Sequence, residues 1–235
     1  MPNIVKNTTF IGLLDLLAPH SCRGCGSIGQ PLCDCCKNYI IQHHQNFCPV
    51  CHQPNSTGKC PNCQHLPTIF VAGKRSDLIG KLIHDFKYQS VRALAHPLAK
   101  ILDGILPDTD QLTHHASKIA IVPLPTISQH IRERGLDHTY LIAKHLANLR
   151  GSNYRVAKFL IRNQDSIQVG SSRETRLAQA ASAYTLLSKA KIDTITTYLL
   201  LDDVWTTGAS FQAAYQLLQD AGAKNIIIAT LALSG

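Results

Sequence analysis

With 235 residues, 45% of them apolar and 16% charged, the chain can bury one sizeable core unaided and is too apolar for a disordered polymer. A net charge of +8 favours anionic partners, and a polyphosphate or a nucleic acid satisfies it equally. No apolar run approaches the ~18 residues of a spanning helix, so no membrane insertion and a cytoplasmic location are expected.

Three zones follow one another. Residues 1–20 carry Ile11, Leu13, Leu14, Leu16 and Leu17, the pattern of a short amphipathic helix ended by Pro19; Asp15 breaks the run, which makes a poor signal peptide. Residues 21–66 are rich in Cys, Gly, Pro, Asn and Gln, as in a small module held by metal. From residue 67 to 235, strand-like and helix-like stretches alternate, the mark of an α/β fold with a parallel sheet and flanking helices.

The nine cysteines all lie between Cys22 and Cys63. Eight form Cys-x-x-Cys pairs: Cys22 with Cys25, Cys33 with Cys36, Cys48 with Cys51, and Cys60 with Cys63. That spacing lets two thiolates converge on one tetrahedral ion at ~2.3 Å from each sulfur. Seven residues separate Cys25 from Cys33 and eight separate Cys51 from Cys60, which suggests two successive four-cysteine sites. An interleaved pairing, first pair with third, stays open. Cys35 is surplus, and a complete cysteine count makes His52 and His65 unnecessary as ligands. A dithiol redox centre competes with this reading, but four regular pairs suit two structural zinc ions better. The metal would supply folding free energy to a segment too small to fold alone.

In the third zone, Ser76 is placed to cap a helix with Leu78, Leu82, Ile83 and Phe86 on its apolar face. A second helix carries Leu94, Leu98, Ile101, Leu102 and Ile105, begun or kinked by Pro97. Residues 118–124 read as a buried strand. Asp137 caps a helix with Leu141, Ile142, His145 and Leu146 inward, closed by Gly151. A strand is expected over 154–161, a helix over 172–183, an apolar strand over 198–201, a helix over 210–221 and a last strand over 226–233.

The informative stretch is LLLDDVWTTGAS, residues 199–210. An apolar strand runs into two acids and a hydroxyl-rich glycine turn, followed by a helix. At the carboxyl end of a parallel strand such a turn faces the ligand crevice, and its amides form an anion nest for a monophosphate. Thr206, Thr207 and Ser210 add hydroxyl donors, while Gly208 and Ala209 keep the backbone accessible. Asp202 and Asp203, the candidate catalytic pair, can accept hydrogen bonds from vicinal ribose hydroxyls and can hold magnesium. No lysine follows the glycine, so this is not a Walker-type loop. Replacing Gly208 by Val is expected to crowd the nest and leave thermal stability little changed.

These residues resemble the signature of type I phosphoribosyltransferases. With the cysteine pairs, FKYQ at 86–89, VPLP at 122–125, RERGLDH at 132–138 and DDVWTTGAS in that order, the chain resembles the ComF family of competence-associated, phosphoribosyltransferase-like proteins over nearly its whole length. The resemblance implies a double zinc-binding, zinc-ribbon-like module followed by a phosphoribosyltransferase-type domain. It also implies binding of phosphoribosyl pyrophosphate with magnesium, and a part in DNA uptake and natural transformation. On it, the turn of Pro123, Leu124, Pro125 and Thr126 falls at a pyrophosphate loop. Arg132, Arg134, Lys87 and Arg92 are candidates for phosphate oxygens, and Gln168, Arg173 and Arg176 lie in a mobile loop. Four positions depart from the family pattern: Leu136 and Asp137 stand for Phe-Asn, Gln179 for Asn, and Trp205 for a smaller aliphatic residue, where it either covers the ribose or packs. Two functions follow. One is a transferase or sensor of the ribosyl donor. The other is a non-catalytic adaptor that delivers single-stranded DNA to a recombination or helicase protein, with mostly electrostatic DNA contacts because aromatic residues are only 6%.

Overall fold

The computed structural model describes residues 20–89, 91–113, 118–163 and 183–234. The expected helix within residues 1–20, nearly all of that at 172–183, and Gln168, Arg173, Arg176 and Gln179 lie outside them.

The central element is a five-stranded, wholly parallel sheet. Its strands are β1 (Thr68–Lys74), β2 (Ile119–Pro123), β3 (Tyr154–Val156), β6 (Thr197–Trp205) and β7 (Asn225–Leu233), in the order β1-β7-β6-β2-β3. Both faces are covered, so the inner strands read as nearly unbroken apolar runs, such as Ile-Ile-Ile-Ala in β7. Side chains alternate between two cores. Leu199, Leu201, Ile227 and Ala229 pack with helices α2 (Leu78–Tyr88), α3 (Ala95–Ile105) and α6 (His138–Arg150). Tyr198, Leu200, Ile226 and Ile228 pack on the other face against Phe211, Ala214 and Leu218 of α7 (Ala209–Asp220). Among the described residues the remaining α-helices are α1 (Asp34–Gln42), α4 (Thr109–Thr113) and α5 (Ser128–Arg134). A small antiparallel hairpin, β4 (Leu160–Arg162) with β5 (Tyr184–Leu186), stands apart from the main sheet.

One register detail makes the crevice. β2 stays paired with β6 only as far as Pro123 opposite Leu201, closed by Leu124 N–H donating to Leu201 O at 2.8 Å. β6 continues beside β7 through Asp202, Val204 and Trp205. Beyond Leu201 the flank of β6 facing β2 is therefore open.

Several expectations need correction. The acids are the continuation of the strand, not of the loop after it, because β7 keeps pairing with β6 to Trp205. The expected 154–161 strand is two strands in different sheets, β3 and β4, divided at residues 157–159. α2 begins after Asp77 rather than Ser76, and Ser76 Oγ donates to the Asp77 carboxylate instead. Its buried apolar positions are Ile79, Leu82, Ile83 and Phe86, with Leu78 only half-buried, and Asp85 is buried beside them. Asp137 does cap α6, accepting from Tyr140 N–H at 3.1 Å, and Pro97 sits harmlessly in the first turn of α3.

The cysteine segment is fastened to this frame in two ways. Cys22 and Leu32 belong to the same buried cluster as α2 and α3, and Cys33, Cys36 and Ile40 pack against it. Farther on, buried Asn46 completes the outer edge of β1: its Oδ1 accepts from Val71 N–H at 2.7 Å and its Nδ2 donates to Ile69 O at 3.0 Å. Ile69 N–H donates to Gly58 O at 2.8 Å. An edge strand that would otherwise offer free backbone groups is thus closed by the module.

Candidate functional site at the carboxyl end of the sheet

The open flank of β6 borders a cavity of about 340 Å³. Asp202 and Asp203 form part of its wall, with Thr206, Gly208 and Ser210 from the following turn and Leu124, Pro125 and Thr126 from the end of β2. Gly208 is in the left-handed region at φ 78°, the bend that turns the chain from β6 into α7. No side chain at residue 208 caps the helix, and Ser210 and Phe211, in the first turn where amides lack intrahelical partners, also line the cavity. Cations come from three other elements: Arg75 just after β1, Lys87 in the last turn of α2, and Arg162 at the end of β4.

The charges are not evenly paired. Lys87 Nζ lies 2.7 Å from Asp203 Oδ2, and the Asp203 side chain is 8% exposed. Asp202 is desolvated and sits beside that second carboxylate, which together push its carboxyl up to about 8. The Asp203 N–H, donating to Asp202 Oδ1 at 2.9 Å, and the cations Lys87 and Arg162 oppose the rise. Asp202 therefore holds a proton more tightly than a free carboxyl, and when protonated it can donate as well as accept, while Thr139 Oγ1 approaches the same Oδ1 at 3.5 Å. Arg162 Nη1 donates to Tyr184 OH at 3.2 Å, and burial raises the Tyr184 phenol above its ordinary range despite Arg162 and a hydrogen bond with Ser210. The hairpin is in this way tied to the turn after β6. The arrangement presents anion donors at one wall and two adjacent acids at another, a combination that suits a polyol carrying phosphate.

The cavity collects some of the expected residues and not others. Asp202, Asp203, Thr206, Gly208, Ser210, Leu124, Pro125 and Lys87 border it. Pro123 is buried within β2, and Thr207 is exposed with its Oγ1 accepting from Ala209 N–H at 3.4 Å. Neither it nor Ala209 lines the cavity. Arg132 is exposed on α5 and outside the lining, Arg92 donates to Gly135 O at 3.3 Å, and the Arg134 side chain lies outside the described portion. Trp205 does not cover the cavity; it is buried and stacked on Phe211 with ring centroids 5.0 Å apart. A Cβ on Gly208 would come within 2.8 Å of Trp205 Cε2 and closer still to its neighbour Cζ2. That overturns the expectation that Gly208→Val would spare stability. Sequence reading missed Arg75, Arg162, Tyr184, His138 and Thr139. Arg75 follows directly on β1, whose apolar run at residues 69–72 was not read as a strand. Arg162 had no signal, because only the hairpin's return brings it there.

The cysteines fall into two tetrads in chain order, Cys22, Cys25, Cys33 and Cys36, then Cys48, Cys51, Cys60 and Cys63, which removes the interleaved alternative. Within each, the four Sγ atoms lie within 4.8 Å of one another, with Cys25 to Cys33 at 3.7 Å and Cys51 to Cys60 at 3.4 Å. Bonds of ~2.3 Å to a tetrahedral ion require sulfur edges of about 3.8 Å, so both sets fit zinc. Burial works against the Cys22 thiolate, yet amide donors from Cys33, Cys25 and Gly24 outweigh it and bring its pKa to about 6, the charged form a metal ligand needs. Cys35 is exposed and belongs to neither set.

Fold and site together define an α/β protein with a ligand crevice at the carboxyl ends of parallel strands and two metal-binding cysteine tetrads before it. Among solved structures the chain is similar to a hypoxanthine phosphoribosyltransferase from Staphylococcus aureus, at 13% identity and a TM-score of 0.33. The overlap spans 58% of this chain and 61% of that one. No family model and no curated protein matches the chain. A likeness of that size assigns neither substrate nor activity. Among the described residues no helix is long and apolar enough to cross a membrane.

Proposed function

We propose that the cavity binds a 5-phosphoribosyl group, as phosphoribosyl pyrophosphate, in a phosphoribosyltransferase-like domain spanning residues 67–235. One observation carries the reading: Asp202, Asp203 and the turn with Gly208 and Ser210 open onto a single cavity together with Arg75, Lys87 and Arg162. A buried turn with a helix against it would have left no such reading. The first-turn amides of α7 and the Thr206 hydroxyl would hold the 5-phosphate. Asp202 and Asp203 would take the ribose hydroxyls, and the cations would face the pyrophosphate. Magnesium fits as an ion held by one or two carboxylates plus ligand phosphates, with Asp202 and Asp203 as its protein donors, and would supply neutralisation of the leaving pyrophosphate.

Isothermal titration with phosphoribosyl pyrophosphate and magnesium tests this. Saturable binding that falls at least about tenfold in Thr206→Val with Ser210→Ala is expected, since charge-assisted hydrogen bonds contribute ~1.5–3 kcal/mol each. Wild-type affinity in that variant would refute the placement. Pyrophosphate release with a panel of bases and amines decides between transferase and sensor.

On the resemblance of its motif order to the ComF family, we extend the proposal to DNA uptake and natural transformation. The net charge of +8 favours, as second reading, an adaptor that holds single-stranded DNA for a recombination or helicase partner. Saturable DNA binding that persists in Asp203→Ala, without turnover, would select it.

A further inference from the structure

The knuckle of the first tetrad grips one helix at three points. Gly24 lies so close to α2 that a Cβ there would be 3.1 Å from Leu78 Cδ2 and 2.6 Å from Cys36 Sγ. Lys81 Nζ donates to Arg23 O at 3.0 Å, and Arg23 Nε lies 3.1 Å from Asp85 Oδ2. Leu78, Lys81 and Asp85 are spaced i, i+3 and i+7, one face of α2. Asp85 is only 9% exposed, and its carboxylate meets the Arg23 guanidinium at Oδ2 and His84 Nδ1, 3.4 Å away, at Oδ1. Half a turn on, the same helix supplies Lys87 to Asp203, and Phe86 O accepts from His138 Nε2 at 3.0 Å beside the cavity. Among the described residues the second tetrad makes no such connection to α2. Its neighbours Lys59, Gln64 and His65 share a cleft with Thr197, Asn225 and Ile226, at the amino ends of β6 and β7.

We infer that the first tetrad, through Arg23 and Asp85, holds α2 in the position that delivers Lys87 to Asp203, so that metal bound there strengthens anion binding in the cavity. Arg23 and Asp85 are positioning residues in this scheme; neither lines the cavity. The inference deepens the proposed function and rests on it for its binding readout.

The test is a double-mutant cycle on the zinc-loaded full chain, read by titration with phosphoribosyl pyrophosphate and magnesium. Arg23→Ala should weaken binding about 3- to 10-fold with both zinc ions retained. In a Lys87→Ala background the same change should cost less than about twofold, because the helix then has nothing to deliver. Cys51→Ser, which breaks only the second tetrad, should leave affinity unchanged. If Arg23→Ala sheds the first ion, Asp85→Asn replaces it, being nearly isosteric and distant from the ligand loop. A ligand-free measurement runs beside it: amide exchange at residues 84–91 should quicken in either variant, while residues 46–63 keep their rates. Full additivity with Lys87→Ala, or unchanged affinity in both variants, overturns the inference. If the wild type binds no probe, the proposed function falls, and the exchange rates still decide: unaltered protection at residues 84–91 overturns the clamp.

Discussion

The two cysteine tetrads have the same ligand spacing and opposite relations to the rest of the molecule. Cys22 of the first is part of the main hydrophobic core, and the loop and helix around it pack on α2 and α3. Ile41 of α1 packs against Gly104 of α3 so closely that a Cβ there would approach within 2.7 Å. In the second tetrad, Cys48, Cys60 and Cys63 form a separate small cluster with Cys51 and Leu66, joined to the sheet by the hydrogen bonds of Asn46 and Gly58 and by Leu66, which also packs against the core on the α7 face. One repeated motif thus makes two kinds of structure. The first tetrad is an extension of the core, and the second is a cover for the edge of β1. Losing the metal should therefore have different consequences at the two places.

The largest expected effect breaks or upholds that contrast directly. Structural zinc contributes on the order of 10 kcal/mol, comparable to the whole stability of a domain. Cys22→Ser should remove one ion and abolish the main thermal transition, because the disturbed site is continuous with the core. Cys63→Ser should also remove one ion, yet leave the sheet's transition in place and open residues 46–66 to protease. Equal losses of thermal stability in the two variants would show that the clusters are not energetically distinct.

A defect confined to the α/β core supplies the scale for that comparison. Gly208→Val meets both a left-handed φ of 78° and the Trp205 indole. Strain and overpacking of about 3 kcal/mol should lower Tm by roughly 6–12 °C. Both zinc ions should stay bound until the chain unfolds, as total metal analysis across the transition would reveal. Weak ligand binding in this variant would by itself say nothing of the phosphate nest, since the turn is displaced; the hydroxyl variants carry that question.

Asn46→Ala sharpens the account of the second tetrad. It strips the partners from Val71 N–H and Ile69 O on the edge of β1, and unsatisfied buried groups cost ~1–3 kcal/mol. We expect a loss of about 2 kcal/mol, with exchange quickened at residues 69–71 and in the second tetrad but not around Cys22. Quickening around the first tetrad instead would tie the two clusters together.

How far these features were legible beforehand depends on whether they are local. The tetrads, the helix capped by Asp137, the inner strands and the acid-glycine turn are written in contiguous residues, where spacing and periodicity act within a turn or two. The register of β2 against β6 is not. Nothing in VPLP or LLLDDVW says that one strand stops at Pro123 while the other goes on to Trp205, yet that mismatch opens the cavity. Arg162 reaches it on a hairpin, held by Tyr184 22 residues further on, and the pairing of Lys87 with Asp203 shows only in their distance. The break of the 154–161 stretch into β3 and β4 escaped for the same reason. Both halves have strand-like residues, and only the sheet each one joins tells them apart.

The smallest expected effect separates carboxylate from thiolate in the pH dependence of both clusters. Asp137 caps α6, and burial raises its carboxyl above the usual range against the pull of Tyr140 N–H, Lys158 and Thr126. A raised acid binds its proton more tightly in the folded chain, so stability falls as pH climbs from the unfolded value near 4 through the folded one. Asn at this position keeps the cap oxygen and has no proton to lose. Asp137→Asn should therefore melt higher than wild type above that window, by no more than about 2 °C, and converge with it below. The tetrads follow the opposite course. Their thiolates are protonated as pH falls and release metal, so acid weakens them in both proteins alike. Melting curves at pH 5 and 8 with zinc in excess resolve the two contributions. A variant less stable than wild type at pH 8 would mean that the charge on Asp137, facing the first turn of its helix, contributes more than its desolvation costs.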